Sequence, residues 1–214
     1  ATDREGWSRT DLPLFNLCES IAAYGHGEGG AGKQGSRSIF GGHSHVGSMI
    51  YLGDNWPEEY RGDLFTHNLH GHQLNRELLS RRDSAYLSSS HGQDTLYADD
   101  KQYLAVDLKY GPDGSVYSID WQDTQQCHVD DTSRWDRTNG RLYRMSWKET
   151  FEPVRVKDLA SASEKQLLSA LRHKNEWFSR MAQHQIRQRA ADKPISPELA
   201  TSLRSTVFDQ TQLH

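Results

Sequence analysis

Imidazole is the compositional surprise among the side chains fit for chemistry, with 11 histidines in 214 residues. His43 and His45 are two apart, so on an extended chain they face the same way. With His70 they can line one open face as metal ligands or proton carriers. Each can equally hydrogen-bond a neighbouring loop backbone. His67 and His70 lie three apart, on opposite sides of a strand, so only one can face such an opening. His70, next to Gly71, is the better placed.

Asp120, Asp123, Cys127 and His128 form a second polar cluster. A thiolate beside an imidazole can ligate a metal, but adjacent residues on an extended chain rarely direct both groups at one ion. Bracing of a long loop is the competing reading. Nucleophilic catalysis by Cys127 would need a base brought to it in space. Arg137, Asn139 and Arg141, in DRTNGR, can offer cations to an anionic ligand, or can flank an Asn-Gly turn. Asp54-Asn55 and Asp113 read as turn formers. Asp99-Asp100 and Asp130-Asp131 are of the calcium-ligand type without EF-hand spacing. Lys33 is followed by Gln34, so the glycine-rich stretch around it is no phosphate-binding loop.

These side chains must be positioned by short strands. Residues 11–24 place Leu14, Leu17, Cys18 and Ile21 at helical spacing, and a glycine-rich loop follows. From Val46 short runs alternate with turn residues: VGSMIYLG, RGDLFTHNLHG, HQLNRELLS, SAYLSSS and LAVDLKY. Gly111-Pro112-Asp113-Gly114 is a strong turn signal. It leads into VYSIDW, with Tyr117, Ile119 and Trp121 on one face and Val116, Ser118 and Asp120 on the other. RLYRMSW closes the series. Strands at this spacing predict a sandwich or a propeller. After Pro153 the period becomes helical. A capping box at Ser163–Gln166 precedes Leu167, Leu168 and Leu171. Phe178, Ala182 and Ile186 follow four apart, with Trp177, Phe178 and Met181 read as packing core. Ser196-Pro197 opens a third helix that resembles, with its neighbours, the start of a HEAT-type stack.

Composition narrows the function classes. Twenty-five basic against 29 acidic residues give a net charge of -4, which argues against a nucleic-acid grip built on phosphate neutralisation. Two distant cysteines exclude a disulfide framework, and Cys127-His128 lacks the earlier cysteine of a covalent haem motif. No apolar run approaches a membrane span, and the sequence as given does not open on a basic-then-apolar signal pattern, which says little about where the parent protein resides. The hydrophobic fraction of 35% and mean hydropathy of -0.84 predict a thin core, or one shared with further chain. Both ends read as cut, so the expectation is a fragment with open sheet edges and poor stability alone.

Several segments in order resemble a known family: SMIYLGDNWPEEYRGDLFTHNLHGHQLNREL, then VDLKYGPDGSVYSIDW, then DRTNGRLYRM. They are similar to the closing part of the glucose/sorbosone dehydrogenase-like propellers. HSHVGSMIYLGDNWP, Asp120-Trp121, Cys127-His128 and WDRTNGRLYR are closer to the large membrane-bound-dehydrogenase-like proteins of planctomycete-like bacteria. The resemblance implies a mainly β fold: a helix and loop over 1–42, two terminal blades of a partial β-propeller over 43–150, and HEAT-like helices over 151–214. It further implies a periplasmic or exported oxidoreductase acting on a carbohydrate or related alcohol or aldehyde, with electrons passed to a cytochrome or quinone. The remaining propeller blades and a cytochrome c domain would be its partners. Pyrroloquinoline quinone, with calcium or another metal, is the implied cofactor. His43, His45, His70, Arg137 and Arg141 are the candidate cofactor contacts, and His43, His45, Asp120, Cys127 and His128 the candidate metal ligands. Leu104 and Val106 stand where the family's quinone-binding arginines would fall. The other expectation is a non-catalytic propeller that binds carbohydrate or a protein.

Overall fold

A computed structural model describes residues 45–69, 72–91, 95–98, 100, 102–123, 131–155 and 158–208. The expected helix over 11–24, and the sites at His43, His70, Cys127 and His128, lie outside the described residues. The chain divides into two units.

The first unit holds two sheets. Strands β1 (His45–Ile50), β2 (Leu64–Asn68), β3 (Gln73–Arg82) and β4 (Ala85–His91) lie side by side in that order, and β5 (Leu96–Tyr97) also pairs with β3. These pairings are all antiparallel. The β3–β4 link is a two-residue loop beginning at Asp83, whose φ of 53° suits a tight hairpin turn. A bulge at Gly47 interrupts the β1–β2 register between Val46 and Ser48. Its φ is +57°, and an added Cβ would lie 2.8 Å from Asp107 Cα. Glycine is needed there because the backbones approach so closely.

The second sheet has the order β6 (Ala105–Tyr110), β7 (Val116–Asp120), β8 (Arg141–Met145). Its faces follow the predicted alternation, but with an inverted outcome. Val116, Ser118 and Asp120 are buried, whereas Ile119 is 52% exposed and its cross-strand partner Leu142 is 68% exposed. A serine and an aspartate inside, with isoleucine outside, reverse the usual sorting of an antiparallel sheet. The reason is a polar partner across from them, described below.

Arg76 fixes the approach to β2. Its Nε donates to Asp63 Oδ2 at 2.7 Å, its Nη2 donates to the Glu59 carbonyl, and its guanidinium lies 4.2 Å above the Tyr60 ring. A planar cation that bonds and stacks at once is a role for arginine rather than lysine.

The second unit comprises residues 52–57, 110–115 and the chain from 146 onward. The Gly111–Ser115 turn closes through Gly111 N to Ser115 O at 2.9 Å and Ser115 N to Asp113 Oδ1 at 3.1 Å. Asp113 is thus a turn former, as its sequence position indicates. Asn55 does more than form a turn: its Oδ1 accepts from Trp147 N at 2.7 Å and its Nδ2 donates to Trp147 O at 3.1 Å. Helices α1 (Glu164–Ala170), α2 (Glu176–Asp192) and α3 (Pro197–Phe208) complete the unit. The capping box forms, with Ser163 N donating to Gln166 Oε1 at 2.8 Å and Gln166 N to Ser163 Oγ at 3.3 Å. Ser196 Oγ accepts from Leu199 N at 3.1 Å, opening α3 as expected. The helical core is Leu167, Ala182, Ile186 and Leu199. Trp177, Phe178 and Met181 are only half-buried, which corrects their reading as core. Trp177 and Phe178 pack on each other at the start of α2, and Phe178 also meets His173.

Candidate polar site between the sheets

The inward residues of β7 meet β2 across the gap between the two sheets. His67 Nε2 lies 3.0 Å from Ser118 Oγ, and Ser118 Oγ lies 3.5 Å from the Tyr103 hydroxyl. The His67 ring meets the Tyr103 ring edge-on at 6.2 Å, and Tyr103 packs on Tyr143 at 5.8 Å. Tyr143 OH accepts from Arg141 Nη1 at 3.2 Å. A polar seam therefore runs from exposed Arg141 down to buried His67. Ser118 turns inward because it meets an imidazole there, and this is why β7 buries its polar face.

Asp120 sits at the end of the seam, opposite Arg141 in the β7–β8 register. Its Oδ1 accepts from Leu104 N at 2.8 Å and from Gln122 N at 3.0 Å. Its Oδ2 has no hydrogen-bond partner among the described residues, although Asp120 is 1% exposed. Gln122, at a φ of 57° rarely taken by glutamine, donates from Nε2 to Gln102 Oε1 at 3.0 Å. Its own Oε1 is also buried and unpartnered among the described residues. Asp123 Oδ2 accepts from Asp136 N at 3.2 Å, so part of the acidic cluster braces the following loop. Buried acceptors without donors cost about 1–3 kcal/mol each and are found where water or a ligand supplies the donor.

Burial sets the ionisation of the seam. It pushes His67 down from 6.5 to about 4 and Tyr103 up from 10 to about 12. Both groups are therefore neutral across the physiological range. Below 6.5 the unfolded chain takes up a proton that folded His67 refuses, so stability falls as pH drops from 6.5 towards 4, by roughly 3 kcal/mol. Above 10 the unfolded chain loses a proton that folded Tyr103 retains, so stability falls again between 10 and 12. Urea midpoints of the full chain across this range should give a plateau between the two windows. A midpoint unchanged from pH 7 to pH 4 would show that His67 is not held neutral inside.

The sequence-derived candidates divide here. Asp120 and Arg141 converge on the seam, while Arg137 turns its guanidinium onto Trp135 at 5.0 Å. The Asn-Gly turn reading of DRTNGR gains from Asp136, whose carboxylate accepts from Thr138 N at 2.9 Å and Asn139 Nδ2 at 2.6 Å. His45 lies on β1 in register with Asn68, on the face opposite His67. No group of three or more His, Cys, Asp or Glu residues suited to a metal occurs among the described residues. Sequence reasoning missed Ser118, Tyr103 and Gln122, and preferred His70 to His67. The alternation of Ser118 with Asp120 was the signal that could have found Ser118.

The implied cofactors fit these residues poorly. A tricarboxylate quinone calls for several cations, whereas the seam presents carboxylate and amide oxygens. Leu104, wholly buried, fills one expected arginine position. A calcium ion would find oxygen acceptors at Asp120 and Gln122, but with the Arg141 cation opposite Asp120. The arrangement suits a neutral ligand that both donates and accepts hydrogen bonds.

No helix among the described residues is long and apolar enough to cross a membrane. No curated protein matches the sequence. One solved structure, a glucose-dehydrogenase-type oxidoreductase from Thermus thermophilus, is similar at 17% identity and a TM-score of 0.29. The match covers 57% of this chain and 43% of that one, so this chain corresponds to less than half of its length. A likeness that low decides neither fold nor activity. The family described as a domain of unknown function, DUF7133, matches residues 34–149. That span takes in every described strand and the whole polar seam, and the chain belongs to the DUF7133 family.

Proposed function

We propose that the chain is part of a sugar-dehydrogenase-like oxidoreductase of propeller architecture, acting on a carbohydrate or related alcohol or aldehyde. The seam is the wall against which substrate hydroxyls lie. One observation carries this reading: the buried acceptors Asp120 Oδ2 and Gln122 Oε1, unpartnered among the described residues, with the Arg141 donor opposite Asp120. A hydroxyl can donate to either acceptor and accept from the guanidinium. The described residues bind and orient; the hydride acceptor belongs to other parts of the protein. Export to the periplasm and electron delivery to a cytochrome or quinone follow the family resemblance. Leu104 and Val106, apolar where quinone-binding arginines would stand, favour a second reading: a non-catalytic module that binds carbohydrate.

The test uses the full-length protein with pyrroloquinoline quinone, calcium and a reducible dye, against a panel of aldoses. Aldose-dependent dye reduction supports the oxidoreductase reading, and saturable binding without turnover supports the second. Asp120→Asn keeps the Oδ1 acceptor for Leu104 and Gln122 but makes the other atom a donor. It is expected to weaken sugar binding at least about tenfold, the equivalent of 1.4 kcal/mol. Absence of both turnover and binding would reject the two readings together.

A further inference from the structure

The three helices border a cavity of about 200 Å³. Leu167 of α1, Ile186 of α2 and Leu199 of α3 line it, and all three belong to the helical core. Half-buried Ile195 and exposed Pro194, in the α2–α3 link, complete its apolar wall. A cavity of about 150 Å³ lined by such side chains stays dry and admits a benzene ring. This one has room for a slightly larger apolar group.

The other lining residues are Glu164, Arg189 and Lys193. Arg189 is fixed in place, its Nη2 donating to Ala160 O at 2.8 Å and to Ala162 O at 2.6 Å. A guanidinium carries five N–H donors, so these two bonds leave others for a ligand. Lys193 is exposed, and neither cation is paired with a carboxylate among the described residues. Glu164 is already engaged, its Oε2 accepting from Ser196 Oγ at 2.6 Å. Two cations against one acid leave the lining positive, although the whole chain carries a net charge of -4.

We infer that this cavity binds a small monocarboxylic acid with an apolar tail of about six carbons. The tail lies among Leu167, Ile186, Ile195 and Leu199, and the carboxylate meets Arg189 and Lys193. Charge-assisted bonds from these cations hold the head, and each methylene buried tightens binding roughly fourfold. A neutral head would leave both cations unused, and an amine would be repelled by them. None of these residues belongs to the polar seam, and the helices lie outside the span 34–149 that the family model matches. The site therefore stands independently of the oxidoreductase reading.

Calorimetric titration of the full chain with sodium hexanoate at low ionic strength tests the proposal. A Kd of about 1 mM or tighter is expected. Acetate, hexanol and hexylamine should each bind at least about tenfold more weakly. Dodecanoate should gain less than about tenfold over hexanoate, because the cavity is by then full. Lys193→Glu, at an exposed position, keeps the fold and should weaken hexanoate at least about tenfold by turning attraction into repulsion. In methyl NMR spectra hexanoate should shift Ile186 and Ile195 and leave Ile50 and Ile119 in place. Absence of hexanoate binding would overturn the proposal, as would equal binding of acetate, hexanol or hexylamine. So would unchanged affinity in Lys193→Glu, or shifts at Ile50 or Ile119 instead of Ile186 and Ile195. Affinity that keeps rising with tail length through dodecanoate would overturn it in favour of adsorption to exposed apolar surface.

Discussion

Gly114→Ala is expected to cost the chain about 3–5 kcal/mol, combining backbone strain with overpacking. Gly114 has a φ of +70°, and an added Cβ would lie 2.4 Å from Asn55 N and 2.5 Å from Asp54 Oδ1. A backbone nitrogen cannot swing aside as a side-chain tip can, and Asn55 is itself fixed by its bonds to Trp147. Gly62→Ala supplies the control. Gly62 has a φ of +91° but nothing within 4 Å of its built Cβ, so only the conformational cost applies, about 1–2 kcal/mol. Thermal melts of the two variants should differ by several degrees. Equal melting temperatures would show that the contact with Asn55 is not part of the folded protein.

Asn175→Ala is expected to lose about 3 kcal/mol, because one side chain serves two functions. Its Oδ1 caps α2 by accepting from Trp177 N at 3.0 Å. Its Nδ2 donates to Gly111 O at 3.0 Å and Pro112 O at 3.3 Å, and the residue is wholly buried. Asn175→Asp separates the two roles. Aspartate caps a helix as well as asparagine, but it would turn an oxygen towards two carbonyl oxygens. It should therefore be no better than alanine. Urea denaturation that finds Asn175→Asp as stable as the wild type would leave α2 capped but remove the clamp on the turn.

Much of the strand order was legible because its punctuation is local. Gly111-Pro112-Asp113-Gly114 announces a turn and the turn forms, with the aspartate of that motif accepting from Ser115 N. Ser163 and Gln166 announce a capping box for the same reason: both partners lie within one turn of chain. The inward direction of β7 was not legible. Ile119 and Trp121 are the residues hydrophobicity would bury, and what overrules it is His67, 51 positions away from Ser118. Asn55 likewise reads as a turn former beside Asp54, yet its partner Trp147 lies 92 positions away. Of the candidate site, Asp120 and Arg141 could be singled out from charge and spacing. Gln122 could not, because its buried oxygen and left-handed backbone depend on the Gln102 segment packed against it.

The clasp around the Gly111–Ser115 turn also bears on how the chain acquires its structure. Asn55 waits for Trp147, and the turn waits for Asn175, 64 positions beyond Gly111. Long-range contacts of this kind add loop-closure entropy that must be overcome before they stabilise anything, which slows folding. On the ribosome the strands can emerge while the asparagine that secures the β6–β7 turn is still being synthesised. A nascent chain released before residue 175 would carry the Gly111 and Pro112 carbonyls without their donor, a species suited to chaperone capture rather than to folding.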